Sequence, residues 1–243
     1  MNIAPSKGGF AARLTTAPVD IRAAQRLRHQ AFRGGEGLDC DPYDEACVHL
    51  LVEDRADGRL LACARVKVIE TQTDLQACYS AQRYNLANLA DFGAPLLELG
   101  RFCALPHPKS TDILRTAWGH LTQTVDAKGI GLIFGCASFV GNNPELHAPV
   151  LQYLRSHSQG PAQLRILPKS THATPLPLGP DAPREALGAM PPLLRSYLAM
   201  GGWVSDHAVR DYDLDTLHVF TALEVAKIPA ARARALRAIA AAG

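Results

Sequence analysis

The sequence predicts an α/β fold, a mixed, twisted central sheet with helices on both faces, and three observations carry that expectation. Two strand-like runs, residues 49–54 and 59–69, flank the turn Arg55-Ala56-Asp57-Gly58, the signature of an antiparallel hairpin. Farther on, an apolar run at 96–105, a helical stretch at 111–128 and an apolar run at 130–139 read as a strand-helix-strand crossover. The 243 residues show no internal repeat, and at 47% hydrophobic and 20% charged they can bury a substantial core without covalent staples.

Taken in order, residues 1–9 read as a disordered start and 10–16 as a first strand. Residues 20–32 carry Ile21, Ala24, Leu27 and Ala31 at steps of three and four, a helical spacing that Gly34-Gly35 stops. A loop containing Asp41-Pro42-Tyr43-Asp44 leads into the hairpin. Residues 71–91 mix a short helix with loop. Helix 111–128 is expected to start on Ser110 or Thr111 as cap and to stop at Gly129. Residues 144–157 suit a helix, 164–167 a strand, and 174–183, with four prolines, a loop. A helix at 191–200 ends at Gly201-Gly202, and strands at 203–209 and 217–225 pair around Tyr212-Asp213-Leu214-Asp215. An Ala/Arg-rich helix closes the chain, giving a main domain over 10–226 and a terminal helix over 227–243.

Composition excludes several classes. A formal charge of +2 does not suit a nucleic-acid binder. Six scattered cysteines without a C-x-x-C pair argue against zinc or a disulfide framework, and no metal is expected. No signal peptide is visible, and no stretch approaches the roughly 18 apolar residues of a spanning helix. A cytoplasmic protein follows, with peripheral contact at the inner membrane open to it.

Chemistry concentrates in Leu96-Leu-Glu-Leu-Gly-Arg-Phe-Cys-Ala-Leu105, an apolar strand holding Glu98 and Arg101. Charges there cost several kcal/mol to desolvate unless paired or used. Three apart on a strand, they point to opposite faces unless a bulge intervenes, and Gly100 is the expected place for one. With Arg28, Asp41, Asp44 and Arg65, they make three cations and three anions, suited to a zwitterionic small molecule. Ordinary surface pairs would explain Arg28, Asp41 and Asp44 equally well.

Leu27-Arg28-x-x-Ala-Phe32, Asp41-x-Tyr43-Asp44, His49-Leu-Leu-Val52, the Arg65 strand and Glu98-x-Gly-Arg101-Phe102 resemble, in that order, two groups of the GNAT-like acyltransferase superfamily. One is the acyl-homoserine-lactone synthases; the other is the L-ornithine N-acyltransferases. Gly135-Cys136-Ala137-Ser138-Phe139, Pro191-Pro-Leu-Leu-Arg-Ser-Tyr-Leu198 and Arg210-Asp-Tyr-Asp-Leu-Asp-Thr216 look like motifs of the second group. Lactone synthases typically carry a Trp soon after the first helix and a Ser between Glu and Arg. Here the first Trp is Trp118, and Gly100 stands between. Leu214-Asp215 and His218 depart from the ornithine pattern and leave room for a different amino-acid acceptor.

The resemblance, over residues 18–225, implies a GNAT-like fold that moves a 3-hydroxyacyl group from acyl carrier protein to the α-amine of ornithine, giving lyso-ornithine lipid. The amine attacks the thioester directly, the donor is a phosphopantetheine thioester, and no separate cofactor is implied. Glu98 and Arg101 become the catalytic pair, with Glu98 taking the amine proton. Arg28, Phe32, Asp41, Asp44, Arg65, Phe102, Cys103, Ser138 and Phe139 become the substrate-binding set. Pro106-His-Pro-Lys-Ser-Thr-Asp112 lacks the glycine-rich turn of CoA-dependent members, which favours a carrier-protein donor. Lys109, Arg115, Arg155, Arg165 and Lys169 are candidates for docking that acidic partner. Cys103 with His107 as nucleophile and base is a lesser alternative. An acyl-homoserine-lactone synthase is the other enzyme reading.

Overall fold

A computed structural model describes residues 9–179 and 184–242. The expected disordered start falls, apart from Gly9, outside the described residues, as does the end of the proline-rich loop, 180–183. The chain opens with β1 (Phe10–Thr15), α1 (Pro18–Phe32), β2 (Val48–Asp54) and β3 (Leu60–Ile69). It continues through α2 (Gln72–Ala77), α3 (Ser80–Arg83), β4 (Tyr84–Asn85), β5 (Leu96–Ala104) and α4 (Ser110–Lys128). Then come β6 (Leu132–Val140), α5 (Ala148–His157), β7 (Leu167–Pro168), β8 (Ala173–Pro175) and α6 (Pro192–Ala199). The chain closes with β9 (Trp203–Asp211), β10 (Thr216–Glu224) and α7 (Ala230–Ala242). Two compact units emerge, and β5 contributes to both.

The first unit comprises the described residues up to Lys67, Leu99–Ile130 and α7. Its strands run in the order β1-β2-β3-β5. The hairpin forms as expected: Gly58 takes a φ of +71°, and its N–H donates to the Asp54 carbonyl at 2.9 Å. Pairing sets His49 opposite Arg65 and Leu51 opposite Cys63, so all four share one face. Helix α1 covers that face with Ala24 and Leu27, which pack with Leu51, Cys63 and Cys103. Leu50, Val52 and Ala64 point the other way and are also buried, which is why β2 reads as a continuous apolar run. Helix α4 packs on β1 and β2, and α7 packs on α4.

The second unit spans Val68–Glu98 and Gly131–Pro229. Its strands follow the order β5-β6-β10-β9-β8, and β10 pairs antiparallel with β6 along its whole length. Alternation on those strands divides two cores. Phe134, Phe220 and Ala222 bury against Leu75, Tyr84, Leu86 and Leu89. Ala137, Phe139, Leu217 and Val219 bury against Leu151, Leu154, Met190 and Leu194.

Several local expectations needed correction. The predicted strand at 164–167 is a 3-10 turn over Ala162–Leu164, followed by a two-residue pairing of Leu167–Pro168 with Tyr84–Asn85. Pro161 and Pro168 lack the donors that a longer ladder needs. The loop expected from Thr174 begins as an edge strand, β8, where Pro175 is tolerated because it pairs on one side only. Helix α4 starts at Ser110 without a side-chain cap; the Lys109 N–H donates to His107 Nδ1 at 3.1 Å instead. Its stop at Gly129 is as expected, with φ +60°.

Candidate functional site

In the first unit, Arg28, Asp41, Asp44, Arg65 and Arg101 come together, joined by Asp39, which the sequence motifs did not single out. Arg28 sits on the last turns of α1 and is fully buried. Its guanidinium forks onto Asp44, Nη1 to Oδ1 at 2.6 Å and Nη2 to Oδ2 at 2.8 Å, and its Nε donates to Asp39 at 3.0 Å. Arg65, on β3, donates to Asp41 and, at 3.3 Å, to Asp44. Arg101 lies 3.4 Å from both Asp39 and Asp41. Three guanidiniums thus alternate with three carboxylates, so charges that would each be costly to bury are matched. Surface pairing, the ordinary alternative for Arg28 and Asp44, does not hold.

Neighbouring groups complete the cluster. Gln25 Nε2 donates to Asp44 Oδ2 at 2.9 Å, and buried His49 lies on the Asp44 carbonyl through Nε2 at 3.0 Å. Burial works against the Asp44 charge, yet the hydrogen bonds from Arg28 and Gln25 hold its carboxyl well below the usual carboxylate range. Burial pushes the His49 imidazole below its ordinary value. Exposure is graded: Arg28, Asp44 and Arg65 are sealed, whereas Asp41 and Arg101 keep 16% and 12% of their side chains accessible. The sealed members hold the shape; the outer two are the ones a ligand can reach.

The positive φ in this strand falls at Arg101 rather than at Gly100. Arg101 itself takes a φ of +49° inside β5, a left-handed conformation that breaks the alternation of the strand. Gly100 has ordinary space: a Cβ added there would lie 3.7 Å from Arg65 Nε.

In the second unit Glu98 is buried, and each of its oxygens accepts one backbone N–H, from Ser80 at 2.7 Å and from Tyr79 at 3.2 Å. Buried Cys78 lies beside it; desolvation and then the Glu98 charge push that thiol up, which makes it a poor nucleophile.

The remaining candidates are placed as follows. Phe32 and Cys103 pack in the apolar cluster under α1, with the Cys103 and Cys63 sulfurs 3.7 Å apart. The Cys103 thiol is pushed well up by Cys63 and by burial, and His107 stacks edge-on to Phe10 at 5.5 Å, so neither shows the features of a nucleophile-base pair. Phe102 is half-buried on β5. On β6, Ser138 is exposed and Phe139 is core, its ring tilted against His147 at a centroid distance of 5.1 Å. Asp39 was missed because an acidic residue in a loop carries no periodicity; only its burial and its pairing with Arg28 reveal it. Among the described residues no group of three or more His, Cys, Asp or Glu could hold a metal ion, and no helix is long and apolar enough to cross a membrane.

Residues 25–119, which include this whole charged cluster and Glu98, match the acetyltransferase (GNAT) domain family, and the chain is an acyltransferase of that class. It is 31% identical to the L-ornithine N(alpha)-acyltransferase of Agrobacterium fabrum, over 91% of this chain and 83% of the relative. The protein of that name from Brucella abortus is also 31% identical, over 91% of this chain and 86% of its own length. The chain belongs to the L-ornithine N(alpha)-acyltransferase family. Among solved structures it is similar to FeeM, an N-acyl amino acid synthase from uncultured soil microbes, at 14% identity and a TM-score of 0.45, covering 96% of this chain and 97% of that one.

Proposed function

We propose that the protein transfers a 3-hydroxyacyl group from acyl carrier protein to the α-amine of L-ornithine. The buried alternation of guanidiniums and carboxylates carries this reading, in a family whose named members are ornithine acyltransferases. Ornithine presents one carboxylate and two ammonium groups. Arg101 and Asp41, the accessible members of the cluster, supply a partner of each sign. In the reaction the amine nitrogen forms the amide bond, the C–S bond breaks and the pantetheine thiol leaves. The nitrogen, an ammonium in free ornithine, gives up two protons: Glu98 accepts one directly or through water, and the departing thiolate takes the other. A carrier-protein donor fits the start of α4. There the N–H groups of Lys109, Ser110 and Asp112 are already engaged by His107 and Lys109, and few remain for a CoA pyrophosphate.

The test is incubation of purified protein with 3-hydroxyacyl carrier protein and a panel of amino acids, following thiol release and product mass. Release with ornithine and an N-acyl-ornithine mass is expected. Turnover with S-adenosylmethionine and none with ornithine would make it a lactone synthase instead. A complex that forms without thiol release would make it a non-catalytic binder. Glu98→Gln should fold and lose roughly a hundredfold or more in rate; near-normal turnover would remove Glu98 from the chemistry.

A further inference from the structure

The turn that grips Glu98 is itself held from the other side. Helix α3 is only four residues, Ser80–Arg83, too short to keep a shape on its own. At its start, the N–H groups of Tyr79 and Ser80 bind the two oxygens of Glu98. Opposite, Lys169 Nζ donates to the Ala81 carbonyl at 2.6 Å, and the Ser170 N–H donates to the Arg83 carbonyl at 3.1 Å. Just beyond, Tyr84 and Asn85 pair with Pro168 and Leu167.

Packing does not make these tethers redundant. Ala81 and Lys169 line a cavity of about 310 Å³ together with Leu75, Tyr84 and Leu86, so one side of the turn faces open space. A turn beside a void can shift where one in a close-packed core cannot. Lys169 lies at the surface, and holding its long side chain against one carbonyl costs rotamer entropy. Other cations considered for carrier docking bond to side chains instead: Arg115 to Asp112, Arg155 to Gln159 and Arg165 to Asp206.

We propose that Lys169 is a positioning residue for Glu98: by fixing the Ala81 carbonyl it sets the turn whose N–H groups aim the carboxylate. The inference rests on Glu98 being the proton acceptor, and its test separates the two claims. Lys169→Met keeps the stem and removes the donor, and Lys169→Arg restores a cationic donor. Both are compared with Glu98→Gln and with the Glu98→Gln/Lys169→Met double variant. Lys169→Met should lower kcat roughly tenfold, since small misplacements of a catalytic group cost that much or more. The KM values for ornithine and carrier protein should stay within about twofold, and the melting temperature within about 2 °C. Lys169→Arg should recover most of the rate, and the double variant should be no slower than Glu98→Gln alone. A wild-type kcat in Lys169→Met overturns the proposal, as does a raised KM for carrier protein at unchanged kcat, which would mark a docking contact. A normal rate in Glu98→Gln removes its premise. Additive losses in the double variant would show that Lys169 acts by another route.

Discussion

Arg101 combines a backbone cost with a position at the accessible edge of the charged cluster. Its φ of +49° costs an L-residue about 1–2 kcal/mol, and glycine would adopt it freely. Such strain persists where the surroundings over-determine it, which is common at functional sites. Arg101→Gly should therefore melt within about 3 °C of the parent while losing at least a hundredfold in thiol release. Activity within threefold of the parent would take Arg101 out of the site. Asp44 presents the opposite case, since its removal strands Arg28 in the interior without its main partner. Asp44→Ala should cost about 3–5 kcal/mol in urea unfolding; a loss under 1 kcal/mol would mean that water reaches the cluster. Glu98, Arg101 and Arg65 were legible in the sequence because a charge inside an apolar run demands an explanation. Arg28 and Asp44 could equally have been surface residues until α1 was seen to lie on the hairpin. Asp39 could not be read at all, because its role depends on a loop folding back across eleven residues.

At the scale of elements, α7 shows how a weakly amphipathic segment is fixed. Its apolar side is mostly alanine, and it docks on α4 through Leu236 and Ile239 while Arg237 forks onto Asp126 at 2.8 Å. The close approach depends on Gly119, where an added Cβ would lie 2.4 Å from Ile239 Cγ2 and 2.8 Å from its Cβ. Alanine usually gains up to about 1 kcal/mol over glycine inside a helix. Here Gly119→Ala should instead displace α7, seen as faster amide hydrogen exchange across 230–242 with exchange in β1 and β2 unchanged. Slower exchange throughout would show that helix propensity wins and that Ile239 yields. The boundaries of α1, α4 and α6 were legible because Gly34, Gly129 and Gly201 all take left-handed conformations that end a helix. The two- and three-residue strands β4, β7 and β8 were not, since so short a pairing leaves no periodic trace and is decided by the strand beside it.

For the whole molecule, the same buried groups set the response to acid, and their signs agree. His49 titrates below its ordinary value because burial disfavours the imidazolium. Below about pH 6.5 the unfolded chain therefore takes up a proton that the folded chain refuses, and stability falls until the folded value is passed. Asp44 is held low by Arg28, so its contribution is present above about pH 4 and is lost as pH falls toward the folded value. His120 is shifted by burial in the same direction as His49, and Asp20, Asp126 and Asp206 in the same direction as Asp44. Two stages of loss follow, to which His49 and Asp44 each add a slope of at most about 1.4 kcal/mol per pH unit. Urea midpoints measured from pH 8 to pH 3 should stay level above pH 7, decline through the first stage and then drop more steeply. His49→Gln should make the first stage shallower and leave the second, whereas Asp44→Asn should start lower and make the second shallower. A parent midpoint that stays level from pH 7 to pH 5 would mean that His49 can take its proton without unfolding, which requires water or an anion to reach a side chain that is fully buried here. The imidazole would then be a part of the site that opens, and the sealed inner half of the charged cluster would have to be redrawn as accessible to ligand.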